Sequence, residues 1–368
     1  MVKQRVVIVG AGIIGLACAY ELSGLKVDVT VMDPSPAMGA TRAAAGMLAA
    51  VSETHFGETD HAPQLLAAAR AWPAFAAAIE LESGRSVSFA QSGTLLLGVN
   101  HSDRTEIDRL ARLHASLGLE ARELQRDQLH ELEPSLSPRI TRAYLVDSDH
   151  QVDGRAVAEA LLAILERRGV EFVSKSVQGI VRDGSRVQLV DSEGVIRSCD
   201  QVVIAAGAHV NAIAGIDRDR IPSVRAVKGE IIRLHDPERR LTRVLRAVVS
   251  GRSVYVVPRP NGELVIGATS LETPDGATVR SGAIFELLSD ARNVYPGIDE
   301  LAFTEASAGL RPARDAGSPF IAFDGDAVVV VGGHYRNGIL LAPLTASVLG
   351  GLLATGSHPQ AELFEVRQ

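Results

Sequence analysis

The chain has 368 residues, 46% hydrophobic and 22% charged, with a formal net charge of −7. That length fits two domains or one large α/β unit, and the composition excludes a disordered or collagen-like chain. The acidic balance argues against nucleic acid as a partner, no apolar run reaches the roughly 18 residues of a membrane span, and the apolar stretch after Arg5 is too short for a secretion-signal core, so a cytoplasmic protein is expected.

Val6-Val7-Ile8-Val9 is a β-branched apolar run of the kind buried in a parallel sheet. It enters Gly10-x-Gly12-x-x-Gly15. Residues 16–22 then read as a helix, and 27–32 as a second strand ending at Asp33. Residues 35–60, rich in Ala, Gly, Thr and Ser, carry no period and read as a long loop. Helical patterns follow at 62–82 and 103–117, with 87–99 between them alternating like a strand pair around Gly93. A helix at 154–168 leads to a strand at 170–173. Short strands at 177–182, 186–191 and 194–199 are separated by Asp-Gly or Glu-Gly turns. Residues 201–204 form another buried strand, running into Ala206-Gly207. From 222 to 310 the pattern changes to longer alternating strands, at 224–234, 248–257 and 264–268, interrupted by a helix at 278–294. A parallel-type strand at 327–331, the pair Gly332-Gly333 and a helix at 338–354 close the chain.

The predicted fold class is α/β (α+β overall): a Rossmann-like domain interleaved with an antiparallel-sheet domain. The first takes residues 1–85, 150–220 and 310–368, and the second takes 86–149 and 221–309.

A glycine triplet alone is weak evidence in a chain with 34 glycines. Here it follows a buried strand, opens a helix, and is answered by an acidic residue at the end of the next strand. Gly10 permits the tight turn, Gly12 lets backbone approach a pyrophosphate, and Gly15 allows close helix–strand packing. The helix N-terminus offers N–H donors and a positive dipole end to phosphate. Asp33 can accept from ribose hydroxyls and would repel a 2′-phosphate, which leaves FAD or NAD. An NAD domain continues with further βα units. This chain enters Gly39 to Met47 instead, a small-residue loop whose backbone can lie against a flat ring; the bland alternative is a linker, for which Ala and Met are poor residues.

Gly309-Leu310-Arg311-Pro312 and Gly332 to Leu340 flank the last strand. The second is a glycine turn into a helix, able to stabilise negative charge on a reduced ring. Arg311 precedes proline and is held extended, and its planar fork suits a carboxylate. Of the 37 basic residues only four are Lys, leaving 33 Arg, so an arginine picked at random is a solvated surface residue. The arginines at 233, 239, 240, 243 and 246 read as such, a solvated hairpin tip. No histidine pair has metal-ligand spacing, so no metal is expected. Cys18 and Cys199 make no disulfide framework, and Cys18 reads as a core residue.

Several segments together resemble the D-amino-acid-oxidase-like FAD-dependent oxidoreductases, most closely their glycine-oxidase branch, which serves thiamine synthesis. They are residues 41–48, Lys228-Gly229-Glu230, Tyr255 to Arg259, Ile266 to Thr269, Gly309 to Pro312, and Gly333 to Pro343. The resemblance implies non-covalent FAD, oxidation of glycine and small amines such as sarcosine, and O2 as oxidant. It also implies a homo-oligomer, such as a tetramer. It makes Arg311 the carboxylate clamp, gives Tyr255 a hydroxyl contact, and sets Arg336 by substrate and flavin, with Met47 and Ser270 also lining the substrate site. Ser270 stands where the branch can carry a methionine, which leaves the preferred amino acid open. The cofactor would be held by Gly10, Gly12, Ile13, Ile14, Gly15, Asp33, Thr41, Arg42, Ala45, Gly46, Met47, the backbone of Val177, Ala206, Gly207, and by Gly333, His334, Tyr335, Arg336, Asn337, Gly338, Ile339 and Leu340. Covalent attachment would need a C-terminal cysteine, which the chain lacks. Alternatives are a same-fold D-amino-acid or N-methyl-amino-acid dehydrogenase or oxidase passing electrons to another acceptor, and a non-catalytic nucleotide-binding protein.

Overall fold

Val6, Val7, Ile8 and Val9 are all buried, so Gln4–Val9 can only be an interior strand. In the computed structural model, which describes residues 3–183, 186–272, 276, 278–315 and 318–367, it lies within a seven-stranded sheet. The order is Glu365–Arg367, Phe320–Phe323, Val328–Gly332, Gln201–Ile204, Gln4–Val9, Val27–Met32, Glu171–Val173. Every pairing is parallel except that of Phe320–Phe323 with Val328–Gly332. The C-terminal part thus completes the sheet begun by the N-terminus.

Side-chain alternation gives the sheet two apolar faces. Val6, Ile8, Val29 and Val31 pack into a layer containing the helices Ile13–Ser23, Ala62–Ser83, Gly154–Arg167 and Gly338–Thr355. Trp72, fully buried there, donates its indole N–H to the Leu340 carbonyl at 2.8 Å. Val7, Val9, Val202 and Ile204 face the other way, against the small sheet of Val177–Asp183, Arg186–Asp191 and Ile196–Cys199. The Asp183-Gly184 turn expected in that sheet falls partly outside the described residues.

The second large sheet has eight strands, in the order Ala302–Ala313, Arg225–His235, Glu263–Gly267, Arg252–Pro258, Val244–Val249, Thr94–Gly98, Arg142–Val146, Arg122–Glu123. It is antiparallel apart from one parallel pairing, Val244–Val249 with Thr94–Gly98. One face is covered by Ser281–Val294 through Leu287, Ala291 and Val294. The other presents Ile231, Val257 and Val265 to Ala43 and Ala45 of the loop that follows Asp33. The two sheets meet there.

Four expectations need correcting. The 248–257 strand is two, Val244–Val249 and Arg252–Pro258, turned at Ser250 and Gly251, whose N–H groups both donate to the Asp103 carboxylate at 3.0 Å. In 87–99 only Thr94–Gly98 is a strand, because the Val87 N–H goes to Glu80 at 2.7 Å and Ala90 pairs with Gln151 instead. Within 35–60 there is a helical turn, Ala40–Ala43, and a strand, Met47–Leu48, paired with His150–Gln151. Tyr335–Thr355 is also long and apolar enough to cross a membrane, against the expectation for the whole chain, but 67% of its apolar window is buried inside the protein.

Candidate active site

A cavity of about 640 Å3 runs from the first βα turn to the sheet face carrying Tyr255 and Arg311. That volume suits a cofactor-sized ligand.

The glycines of the turn do different jobs. Gly10 has φ +103°, and a Cβ there would sit 2.5 Å from the Ala205 carbonyl oxygen. A Cβ on Gly15 would overlap the Gly10 carbonyl, so this glycine serves helix–strand contact. Gly12 has an ordinary φ of −71°, and the nearest atom to a Cβ there is Thr41 Oγ1 at 3.5 Å. The fold does not demand Gly12; the cavity does. Gly12, Ile13 and Ile14 line the cavity at the start of an 11-residue helix, turning its amides and dipole toward it. Asp33 is fixed by two amides, Oδ2 accepting from Ala11 and Oδ1 from Ser35, both at 2.7 Å. An acceptor held so at the end of the second strand, beside that helix start, fits the ribose and pyrophosphate of FAD.

The loop after Asp33 is clamped in place. Arg259, 4% exposed, donates to the Ala45 carbonyl and to Gln151 Oε1 at 3.0 Å, while Val152 N–H donates to the Gly46 carbonyl at 2.9 Å. Ala43 to Met47 therefore line the cavity as rigid wall. Opposite, His334, Tyr335 and Arg336 lead into Gly338–Thr355, whose first residues, Gly338 and Ile339, also line it. His334 is buried with Nε2 3.1 Å from Thr345 Oγ1, and burial pushes its imidazole down to about 3. Its folded value lies below the ordinary 6.5, so its neutral form contributes stability above that value, lost as pH falls from 6.5 toward 3. The His334→Gln variant is expected to lose less of its thermal stability than the parent between pH 6.5 and 4, measured as Tm against pH; parallel curves would contradict this.

At the far end Arg311 lies in Ala302–Ala313, an edge strand, where Pro312 leaves no ladder donor missing. Its guanidinium lies over Gly229, where any Cβ would overlap it, and Nη1 donates to the Thr269 carbonyl at 3.0 Å. Thr269 is held by buried Glu230, which accepts from Thr269 Oγ1 at 2.9 Å and from Arg280 Nη2 at 3.0 Å. The Tyr255 phenol crosses Gly267 in the same way, and burial pushes its pKa up while nearby Arg311 works the other way. A fixed guanidinium beside a protonated phenol has the chemistry to receive a carboxylate.

Arg336 is differently engaged. It donates through Nε to Glu53, through Nη1 to Glu58 Oε1 at 3.2 Å, and through Nη2 to the Glu53 carbonyl at 3.1 Å. Glu53 also pairs with Arg246; burial opposes its ionised form, but Arg246 and Arg336 outweigh it and hold the carboxyl at about 2. The Glu53→Gln variant should lose about 1–2 kcal/mol of stability, read from the urea midpoint, because one buried arginine loses its charged acceptor.

Most sequence-predicted residues meet at this cavity: Gly10, Gly12, Ile13, Ile14, Asp33, Thr41, Ala45, Gly46, Met47, Ala206, Gly207, Tyr255, Ser270, Arg311, and His334 to Ile339. Gly15, Arg42, Val177, Gly333 and Leu340 are not among its lining residues. Thr41 Oγ1 accepts from the Ile13 N–H at 2.9 Å, the Arg42 carbonyl accepts from Arg155 Nε at 2.9 Å, and Val177 is buried in the small sheet. Sequence reading missed Glu53, His55 and Glu58, which sit in the periodless 35–60 stretch. It also misplaced Arg233 and Arg246. Arg233 is 2% exposed and pairs with Glu263, and Arg246 lines the cavity, so neither belongs to a solvated tip.

Residues 5–352 match the family model described as FAD dependent oxidoreductase. The glycine oxidase of Bacillus licheniformis is 30% identical over 363 residues, covering 95% of this chain and 93% of that one. The bifunctional protein ThiO/ThiG of Trichormus variabilis is 30% identical over 355 residues, covering 95% of this chain and 52% of its own length. The crystal structure of glycine oxidase from Geobacillus kaustophilus superposes with a TM-score of 0.88 at 28% identity, covering 100% of both chains. The chain belongs to the DAO family of FAD-dependent oxidoreductases, and its cofactor is FAD.

Proposed function

We propose that the protein oxidises glycine and small amino acids or amines, converting glycine, O2 and water to glyoxylate, ammonia and hydrogen peroxide. The observation that carries this reading is the Arg311–Tyr255 pair at one end of a cavity whose other end is the dinucleotide turn. The named relatives support it, and the ThiO/ThiG likeness supports a role in supplying the thiazole of thiamine. Arg311 would bind the substrate carboxylate by both fork nitrogens, with the Tyr255 hydroxyl as a further donor. Met47 and Ser270 would flank the substrate, and Arg336, already paired with Glu53 and Glu58, would hold the wall rather than the substrate. When bound, FAD supplies the two-electron acceptor for a hydride leaving Cα. The protein's contribution is orientation and charge placement, with the amine neutral, so no strong base is required.

Neither Cys18 nor Cys199 lines the cavity, which favours non-covalent FAD. The domains would be divided as the sequence indicates, except that the break near 310 moves beyond Ala313, since Ala302–Ala313 is one strand. Aerobic incubation with glycine should yield ammonia and peroxide in equal amounts. Ammonia without peroxide would point to another electron acceptor, and neither product would refute the reading.

A further inference from the structure

Lys228, Gly229 and Glu230 sit in Arg225–His235, where Gly229 faces the cavity and yields its space to the Arg311 guanidinium. Alternation turns Lys228 and Glu230 to the opposite face of the sheet, the side of Ile232 and the helix Ser281–Val294, and both are fully buried there. Lys228 Nζ stands 3.6 Å from Glu230 Oε1. Oε1 also accepts from the Arg280 amide at 2.9 Å and from Arg280 Nε at 3.2 Å. Oε2 accepts from Arg280 Nη2 at 3.0 Å and from the Thr269 hydroxyl at 2.9 Å. Burial opposes the ionised form of Glu230, but Arg280 and Thr269 outweigh it and hold the carboxyl below its ordinary range.

Thr269 carries this clamp through to the cavity. Its hydroxyl also accepts from the Glu230 amide at 2.9 Å, and its own amide donates to the Glu230 carbonyl at 3.2 Å. On the cavity side the Thr269 carbonyl takes Arg311 Nη1 at 3.0 Å. One carboxylate thus holds Thr269 and Arg280 together, beside Ser270 on the cavity wall. A charge cluster buried so fully adds little net stability, because desolvation offsets its attraction, so stability alone is a weak reason for it. We propose that Glu230 is a positioning residue: from behind the sheet it fixes Thr269, and through the Thr269 carbonyl it aims the Arg311 fork at the substrate carboxylate. The inference rests on the amino-acid oxidase reading above and deepens it. Glutamate suits the task because a carboxylate offers two acceptor oxygens, whereas glutamine would turn an NH2 group toward one of the donors.

The test uses FAD-loaded protein, glycine as substrate, and acetate as a carboxylate without an amine, its binding measured by calorimetric titration. The variants are Glu230→Gln and Thr269→Val. Thr269→Val removes only the hydroxyl and leaves Lys228 and Arg280 paired with Glu230, so it carries the test if Glu230→Gln fails to fold. The expected result is that KM for glycine and the acetate dissociation constant rise together, by about tenfold in Glu230→Gln and about threefold in Thr269→Val. The fall in kcat should be smaller, and FAD content should match the parent. In an Arg311→Ala background the same substitutions should have no further effect on glycine kcat/KM, because the group through which Glu230 acts is gone. Full additivity of the losses would overturn the proposal and make Glu230 a purely structural residue. So would parent values of KM and acetate affinity in every variant that folds. A parent protein that oxidises neither glycine nor sarcosine would refute the amino-acid oxidase reading itself, whereas an active parent with indifferent variants would refute only the positioning role.

Discussion

Arg311→Ala is expected to lower kcat/KM for glycine by at least a hundredfold while leaving FAD content near normal. Removing one partner of a buried charge pair costs on the order of 3–5 kcal/mol, because the substrate carboxylate would be desolvated beside Tyr255 with no cation to meet it. The cofactor should be indifferent, since the Gly12 turn and Asp33 belong to the βαβ unit of the other large sheet and are held without Arg311. Arg311→Lys should recover only part of the loss. A point charge cannot both hold the Thr269 carbonyl, 3.0 Å from Nη1, and grip a carboxylate with two parallel donors. The decisive comparison is a primary amine without a carboxylate. Its poor turnover should hardly change in Arg311→Ala, and equal losses on both substrates would make Arg311 structural.

The site was legible where chemistry is written locally. Gly10, Gly12, Gly15 and Asp33 fall within one βαβ unit, so spacing alone carries their roles. Arg311 was legible because a proline follows it and fixes its backbone. The rest depends on contacts distant in sequence. Gly229 clears the space for the Arg311 guanidinium from the neighbouring strand, and nothing around it announces this. Glu53 is an ordinary acidic residue until folding brings Arg246, 193 positions away, and Arg336, 283 away, onto its two oxygens. Arg233 and Arg246 were misread for the same reason. In an arginine-rich chain, only burial separates a working arginine from a solvated one. The fold's strands were readable from alternation, yet the Ser250–Gly251 turn was not, because its stabilising carboxylate belongs to Asp103 on a distant helix.

Gly12→Val is expected to fold as the parent does and to bind FAD at least about fivefold more weakly, measured by equilibrium titration of the apoprotein. The nearest neighbour of a Cβ at Gly12 is 3.5 Å away, so the empty chain tolerates the side chain. The cost falls on the pyrophosphate, which the added methyls would crowd by roughly 1–3 kcal/mol. Gly15→Ala should show the opposite pattern, a loss of folding stability, since even one carbon there overlaps the Gly10 carbonyl. If Gly12→Val kept full FAD occupancy, the phosphates would have to lie elsewhere.

The most direct measurement is an anaerobic one. The purified yellow protein is mixed with glycine, and with sarcosine, in the absence of oxygen, while the visible absorbance of its flavin is followed. Substrate oxidation at the Arg311 end of the cavity requires that the colour bleach, and that it return on admitting air with release of peroxide. A spectrum unchanged by either amine, in protein shown to carry FAD, would contradict amine oxidation at this site.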